Sequence, residues 1–147
     1  MTKNNKGFTM MEIMVVVILI AILTAFAVPQ YMKVTEQQRG VEALNILAAI
    51  GKAEERYFAI NEAYTEDFSD LDLDLTNSSA TTYSNKAFNF VLSGTTDAAG
   101  KVTATRATGK YSLERKHSTS EVCCKSLSGD DGTELCEIFG DVDICSP

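Results

Sequence analysis

The stretch from Phe8 to Val28 carries a single charge, Glu12, and from Ile13 onward its only polar side chain is Thr24. As a helix rising about 1.5 Å per residue it is long enough to cross roughly 30 Å of hydrocarbon, so it is expected to enter a membrane. Lys3 and Lys6 precede it, with no acid among residues 1–7. The positive-inside rule therefore keeps that leader cytoplasmic and sends the chain beyond Val28 outward.

The remainder has the opposite character. Nearly all of the 20 acidic residues follow the apolar run, and the formal charge of the 147-residue chain is −7. One small domain is all that this length supports. No cluster of Lys and Arg offers the charge from which phosphate backbones draw most of their affinity, so no nucleic acid is expected as a default partner.

Three processing outcomes are open to such an amino terminus. A secretory signal would be cut at the small-x-small site Ala25-Phe26-Ala27, and a permanent anchor would not be cut at all. Neither has a use for Glu12, since a charge at the centre of a membrane helix costs about 2.5–3.5 kcal/mol on insertion scales.

The residues Lys6-Gly7-Phe8-Thr9-Met10-Met11-Glu12-Ile13, the apolar run and then Val28-Pro29-Gln30-Tyr31 resemble the prepilin signature of type IV pilins and type II secretion pseudopilins. The resemblance covers Lys6 to about Tyr31. It implies that a prepilin peptidase cuts after Gly7 and methylates the new amine on Phe8, leaving the apolar helix in the product. Lys3 and Lys6 leave with the leader, which removes the cytoplasmic flank of the anchor.

After that cut, a cationic amine on Phe8 and the Glu12 carboxylate stand about 6 Å apart along the helix axis. Where such rods pack away from water, an unpaired carboxylate costs several kcal/mol, and an amine near 4 Å repays much of it. The amine of one subunit meeting Glu12 of its neighbour would thus set the stagger of a filament. Pro29 removes one helical hydrogen bond and is expected to kink or loosen the helix near Ala25.

Past Pro29 the spacing of Ile46, Ile50, Ala53, Tyr57, Ile60 and Tyr64 predicts an amphipathic continuation, with the whole helix running from Phe8 to about Ile60. Gly40 and Gly51 are expected to mark bends. Residues 61–86 read as an exposed loop. Strands are expected at Ala87–Ser93, Val102–Ala107 and Tyr111–Arg115, with a fourth at Glu121–Lys125. A turn at Gly129–Gly132 and a short helix over Thr133–Phe139 complete the chain.

Cys123 and Cys124, adjacent on a strand, point to opposite faces and do not pair with each other. Outside the cytoplasm, two disulfides to Cys136 and Cys145 are expected, in either arrangement. The resulting fold class is α+β: a long amino-terminal helix packed on a small antiparallel sheet with a disulfide-closed carboxy-terminal region. That region resembles the one in type IV pilins.

Other chemistry is weakly represented. Asp70, Asp72 and Asp74 open like a calcium loop, but Leu75 and Thr81 occupy the positions that need Gly and Glu. Asp130, Asp131, Asp141 and Asp143 lack a ligand spacing, the cysteine spacings do not suit zinc, and His117 reads as a surface histidine. Asn77-Ser78-Ser79 matches a glycosylation triplet. No catalytic residues, no metal and no cofactor are expected.

The chain thus reads as a structural subunit in three parts: leader 1–7, membrane and filament-core helix 8–30, and helix continuation plus head 31–147. By resemblance its partners are further copies of itself, a prepilin peptidase and an inner-membrane assembly platform with its motor. It would stand first in the cytoplasmic membrane with the head outside the cytoplasm, then in an extracellular or periplasmic filament. The alternatives are a type II secretion pseudopilin driving export and a signal-anchored or secreted binding module.

Overall fold

A helix, α1 (Met10–Asn61), opens the chain in a computed structural model that describes residues 8–75, 79–139 and 143–145. Gly7, Lys3, Lys6, Asn77, Ser78 and Asp141 lie outside the described residues. The chain divides into two compact units, the first ending at Thr35 and the second starting at Glu36.

The first unit is the apolar part of α1. Thr9 caps it: its carbonyl accepts from the Ile13 N–H, and its hydroxyl accepts from the Glu12 N–H at 3.2 Å. Leu, Ile, Val, Met and Ala populate the run, and Thr24 folds its hydroxyl back onto the Ile20 and Ala21 carbonyls at 3.0 Å. The helix continues unbroken through Pro29.

The second unit is built on a meander, strands in the order β1 (Thr82–Ser84), β2 (Phe88–Ser93), β3 (Lys101–Arg106), β4 (Tyr111–Lys116), β5 (Val122–Ser126) and β6 (Asp143–Ile144). Pairs β1 to β5 are antiparallel, as their short connections favour, whereas β6 lies parallel to β5. Gly109 supports the β3–β4 turn with φ 70° and donates to the Arg106 carbonyl at 2.7 Å. Alternation is legible in the burial of β2 and β3. One register row, Phe90, Ala104, Leu113 and Cys124, crosses the sheet entirely buried.

This row meets Ala43, Leu47, Ile50 and Ala53 of α1 in one core, with Phe68, Leu71, Phe88, Val102 and Tyr111. Most of the expected stripe is kept, since Ile50, Ala53 and, past the helix end, Tyr64 are buried and Ile46 and Tyr57 pack against the core, but the buried face of α1 is wider. It runs Gly40, Ala43, Leu47, Ile50, Gly51, Ala53 and Glu54, while Ile60 is 82% exposed. Small residues let other elements come close, so Gly40, Ala43, Gly51 and Ala53 share the face with the bulky Leu47 and Ile50.

Gly40 and Gly51, expected to mark bends, are places where side chains from other elements press on the helix. A Cβ at Gly40 would sit 1.9 Å from the Phe139 ring, and one at Gly51 would sit 1.4 Å from Arg115 Nη1. Both positions are glycine because a side chain from elsewhere fills the space.

The segment expected to be a loop holds a 3-10 turn, Phe68–Asp70, and strand β1. The turn is capped by Asp67, whose carboxylate accepts from the Ser69 N–H at 2.8 Å. Asn85 accepts from the Ala87 and Phe88 N–H groups and so turns the chain between β1 and β2. Helix α2 (Gly129–Glu137) starts within the expected turn, where the Gly132 N–H already donates to the Ser128 carbonyl at 3.3 Å.

Candidate functional site

The feature without a structural use in the folded chain is the surface of the first unit. Phe8, Met10, Met11, Leu23 and Phe26 are two-thirds exposed or more, and the aliphatic residues between them about half. Large contiguous apolar surface on a soluble protein marks contact with lipid or protein. Helix α1 is long and apolar enough to cross a membrane, and the apolar window within it is wholly unburied.

At the start of this surface Glu12 turns back on its own helix end. Its Oε2 accepts from the Thr9 N–H at 2.9 Å and from the Thr9 hydroxyl at 3.0 Å. With the reverse bond from the Glu12 N–H, the two residues form a capping box. The sequence signal for this role of Thr9 is Thr-x-x-Glu ahead of an apolar run, which the prepilin-like string hides within itself. The box aims the carboxylate at the helix amino end, beside Phe8.

The four cysteines close two bridges, Cys123 to Cys145 and Cys124 to Cys136. Of the two arrangements left open by the sequence this is one, and it follows the faces of β5. Cys124 looks into the core and meets Cys136 on α2, and Cys123 looks outward and meets the residue that follows β6.

The head's remaining polar chemistry is internal. Arg106 and Tyr111 converge on Glu36: Arg106 Nε donates to Oε1 at 2.5 Å and the Tyr111 hydroxyl to the same oxygen at 3.1 Å. Arg39 adds a bond to Oε2 at 3.0 Å. Burial acts to raise the Glu36 pKa, but these donors, Arg106 foremost, hold it below the usual carboxylate range. The carboxylate clamps α1 to strands β3 and β4.

His117 is buried rather than on the surface: it is 2% exposed, and its ring lies 4.8 Å from that of Tyr64. Its neighbour along the strand, Arg115, bonds to Glu55 at 3.2 Å and Ser120 at 3.0 Å. Burial, then the charge of Arg115, lowers the His117 pKa to about 4. The signal that could have found it is the two-residue alternation of β4, in which Tyr111, Leu113 and Arg115 are buried and His117 is next in step, just past the end of the strand.

Glu54 is fully buried, and accepts from the Thr65 N–H at 3.1 Å. Burial raises its pKa to about 7, opposed by that bond and reinforced by Asp70. Asp70 takes the Thr65 hydroxyl at 2.9 Å and Asp72 takes Arg56, so these acids serve the loop. Leu71, Leu73 and Leu75 face the core. Among the described residues, no three His, Cys, Asp or Glu side chains come together as a metal site would need.

The class this defines is a membrane-competent helix carrying an extended meander sheet with a doubly bridged tail. Residues 2–28 match the model for the prokaryotic N-terminal methylation motif. The chain is 36% identical over 63 residues to the type IV major pilin protein PilA of Myxococcus xanthus, 43% of this chain and 29% of that one. It is 42% identical over 53 residues to a fimbrial protein of Pseudomonas aeruginosa, 36% and 34% of the two chains. It is also 40% identical over 62 residues to the type II secretion system core protein G of Pseudomonas aeruginosa, 42% and 44%.

The chain therefore spans less than half the length of each of these curated relatives. The prepilin-type signature and the resemblance to type IV pilins and secretion pseudopilins stand on these matches together.

Proposed function

We propose that the chain is a structural subunit that polymerises into a type IV pilus-like filament through its amino-terminal helix. Its product would begin at Phe8, released by a prepilin peptidase cutting after Gly7 and methylating the new amine. Glu12 would then pair with the Phe8 amine of a neighbouring copy. The observation that carries this reading is the wholly exposed apolar helix with one carboxylate held at its start.

Before assembly the helix resides in the cytoplasmic membrane, with the head outside the cytoplasm where its cysteines oxidise. Hydrocarbon is about as apolar as leucine, so moving the helix from lipid to filament core yields little hydrophobic gain. Packing and the charge pair supply specificity, and an assembly platform with a motor supplies the work. Pro29 would loosen the helix within the packed core. The work proposed for the chain is polymerisation, not catalysis.

A second reading is supported by the match to core protein G: a secretion pseudopilin, using the same helix chemistry in a filament that drives export. The doubly bridged tail supports the pilus instead. A signal-anchored or secreted binding module predicts a different amino terminus. Mass spectrometry of the mature protein tests this: a methylated Phe8 terminus is the expected result, and a terminus at Met1 or Val28 overturns it. Surface filaments in the producing cell then favour the pilus, and their absence alongside lost export in a deletion strain favours the pseudopilus.

A further inference from the structure

The two bridges differ in access. Cys124 and Cys136 are 0% and 2% exposed and belong to the core, whereas Cys123 and Cys145 are half-buried on the outer side of β5. They also differ in what they hold. Cys124 to Cys136 ties α2 to the sheet beneath the core, while Cys123 to Cys145 ties down two-residue strand β6, the last strand of the sheet. The only antiparallel partner of β5 is β4, so the side of β5 away from it is covered by β6 alone among the described strands. Among the described backbone groups, the Cys145 N–H donates to the Cys124 carbonyl at 2.9 Å there.

We propose that Cys123–Cys145 is a thiol–disulfide exchange site whose substrate is a dithiol, and that opening it releases β6 from the sheet while the head stays folded. The attacking thiolate bonds to Sγ of Cys145, the Sγ–Sγ bond breaks, and its electron pair leaves on Cys123 as a thiolate that takes up a proton. The second thiol of the reagent then attacks the mixed disulfide. The dithiol ends as a disulfide, and Cys123 and Cys145 end as thiols, two electrons and two protons having been transferred.

Rates of such attack follow access as well as thiolate supply. A buried sulfur pair admits attack only when the core opens, and the outer pair does not wait for that event. The adjacency of Cys123 and Cys124 adds protection against scrambling. Successive strand side chains point to opposite faces, so a thiolate released at Cys123 is separated by the sheet from the Cys124–Cys136 bridge. Opening β6 uncovers a row of backbone groups on β5, the kind of edge that pairs readily with another chain.

The test uses the full chain in nonionic detergent, treated with dithiothreitol at pH 8, quenched at intervals with iodoacetamide and mapped by peptide mass. Cys123 and Cys145 should become alkylated together, at least about tenfold faster than Cys124 and Cys136. Hydrogen exchange on the half-reduced protein should show the Cys145 amide losing protection, with the β2–β4 amides unchanged. Opening of both bridges at one rate, or of Cys124–Cys136 first, overturns the proposal, as does general loss of protection. The double variant Cys124→Ala/Cys136→Ala, where it folds, should keep the wild-type rate at the outer pair, and a rate slowed tenfold counts against it. Where it does not fold, the wild-type kinetics decide alone.

Discussion

At the scale of single residues, two buried titratable groups give the head opposite responses to pH. Glu54 has its folded pKa raised to about 7 by burial. Between about pH 4.5 and 7 the folded chain therefore holds a proton that the unfolded chain has released, and stability falls as pH rises. His117 is lowered to about 4 by burial. From about pH 6.5 down to 4 the unfolded chain gains a proton that the folded chain refuses, and stability falls as pH falls. Each is worth roughly 3 kcal/mol over its window, so the two slopes nearly cancel between about pH 4.5 and 6.5. Relative to wild type, Glu54→Gln should make thermal stability rise with pH across that interval, and His117→Phe, which keeps a ring against Tyr64, should make it fall. Melting curves at pH 5, 6 and 7 read both; parallel profiles for either variant would remove that group from the pH response.

At the scale of elements, strands were legible and the helix face was legible in part: Ile50 and Ala53 of the expected stripe are buried, and Ile60 is exposed. Residues of β2 and β3 alternate because one side of the sheet meets α1 and the other meets water, and alternation is written directly in side-chain type. On α1 the buried face includes Gly40, Gly51 and Glu54, which a search for bulky apolar residues discards. The reason lies on other elements: Phe139 fills the space at Gly40 and Arg115 the space at Gly51, and neither partner is signalled near them in the chain. Strand β1 and the 3-10 turn rest on the side chains of Asn85 and Asp67, which sequence shows only as loop-formers. Gly51→Leu should therefore displace the Arg115 guanidinium and cost about 1–3 kcal/mol, as overpacking does. An exposed substitution such as Ala59→Leu should change little. Urea unfolding measures both as midpoint shifts at constant slope, and an unaltered midpoint for Gly51→Leu would show that the guanidinium relocates freely.

At the scale of the whole molecule, the apolar first unit and the sheet-bearing second unit carry different kinds of sequence signal. The apolar helix announced itself by composition, and the Gly-Phe-Thr-x-x-Glu string by pattern. What the pattern left ambiguous is why Glu12 is there, since Thr9 and Glu12 bond to each other in the single chain and a cap alone would account for both. The two roles separate by substitution. A glutamine at this position of a capping box still bonds the helix end, so Glu12→Gln keeps the cap and loses the charge. Thr9→Ala does the reverse: it removes the cap, at about 1 kcal/mol, and leaves the carboxylate. Charge pairing with a neighbour's Phe8 amine predicts that Glu12→Gln inserts and is processed normally but yields few filaments, while Thr9→Ala assembles at a yield nearer wild type. Sheared-filament yields normalised to membrane-inserted subunit give the comparison. Were Thr9→Ala the more damaging of the two, Glu12 would be acting as a helix cap, and the stagger of the filament would have to come from packing of the apolar surface alone.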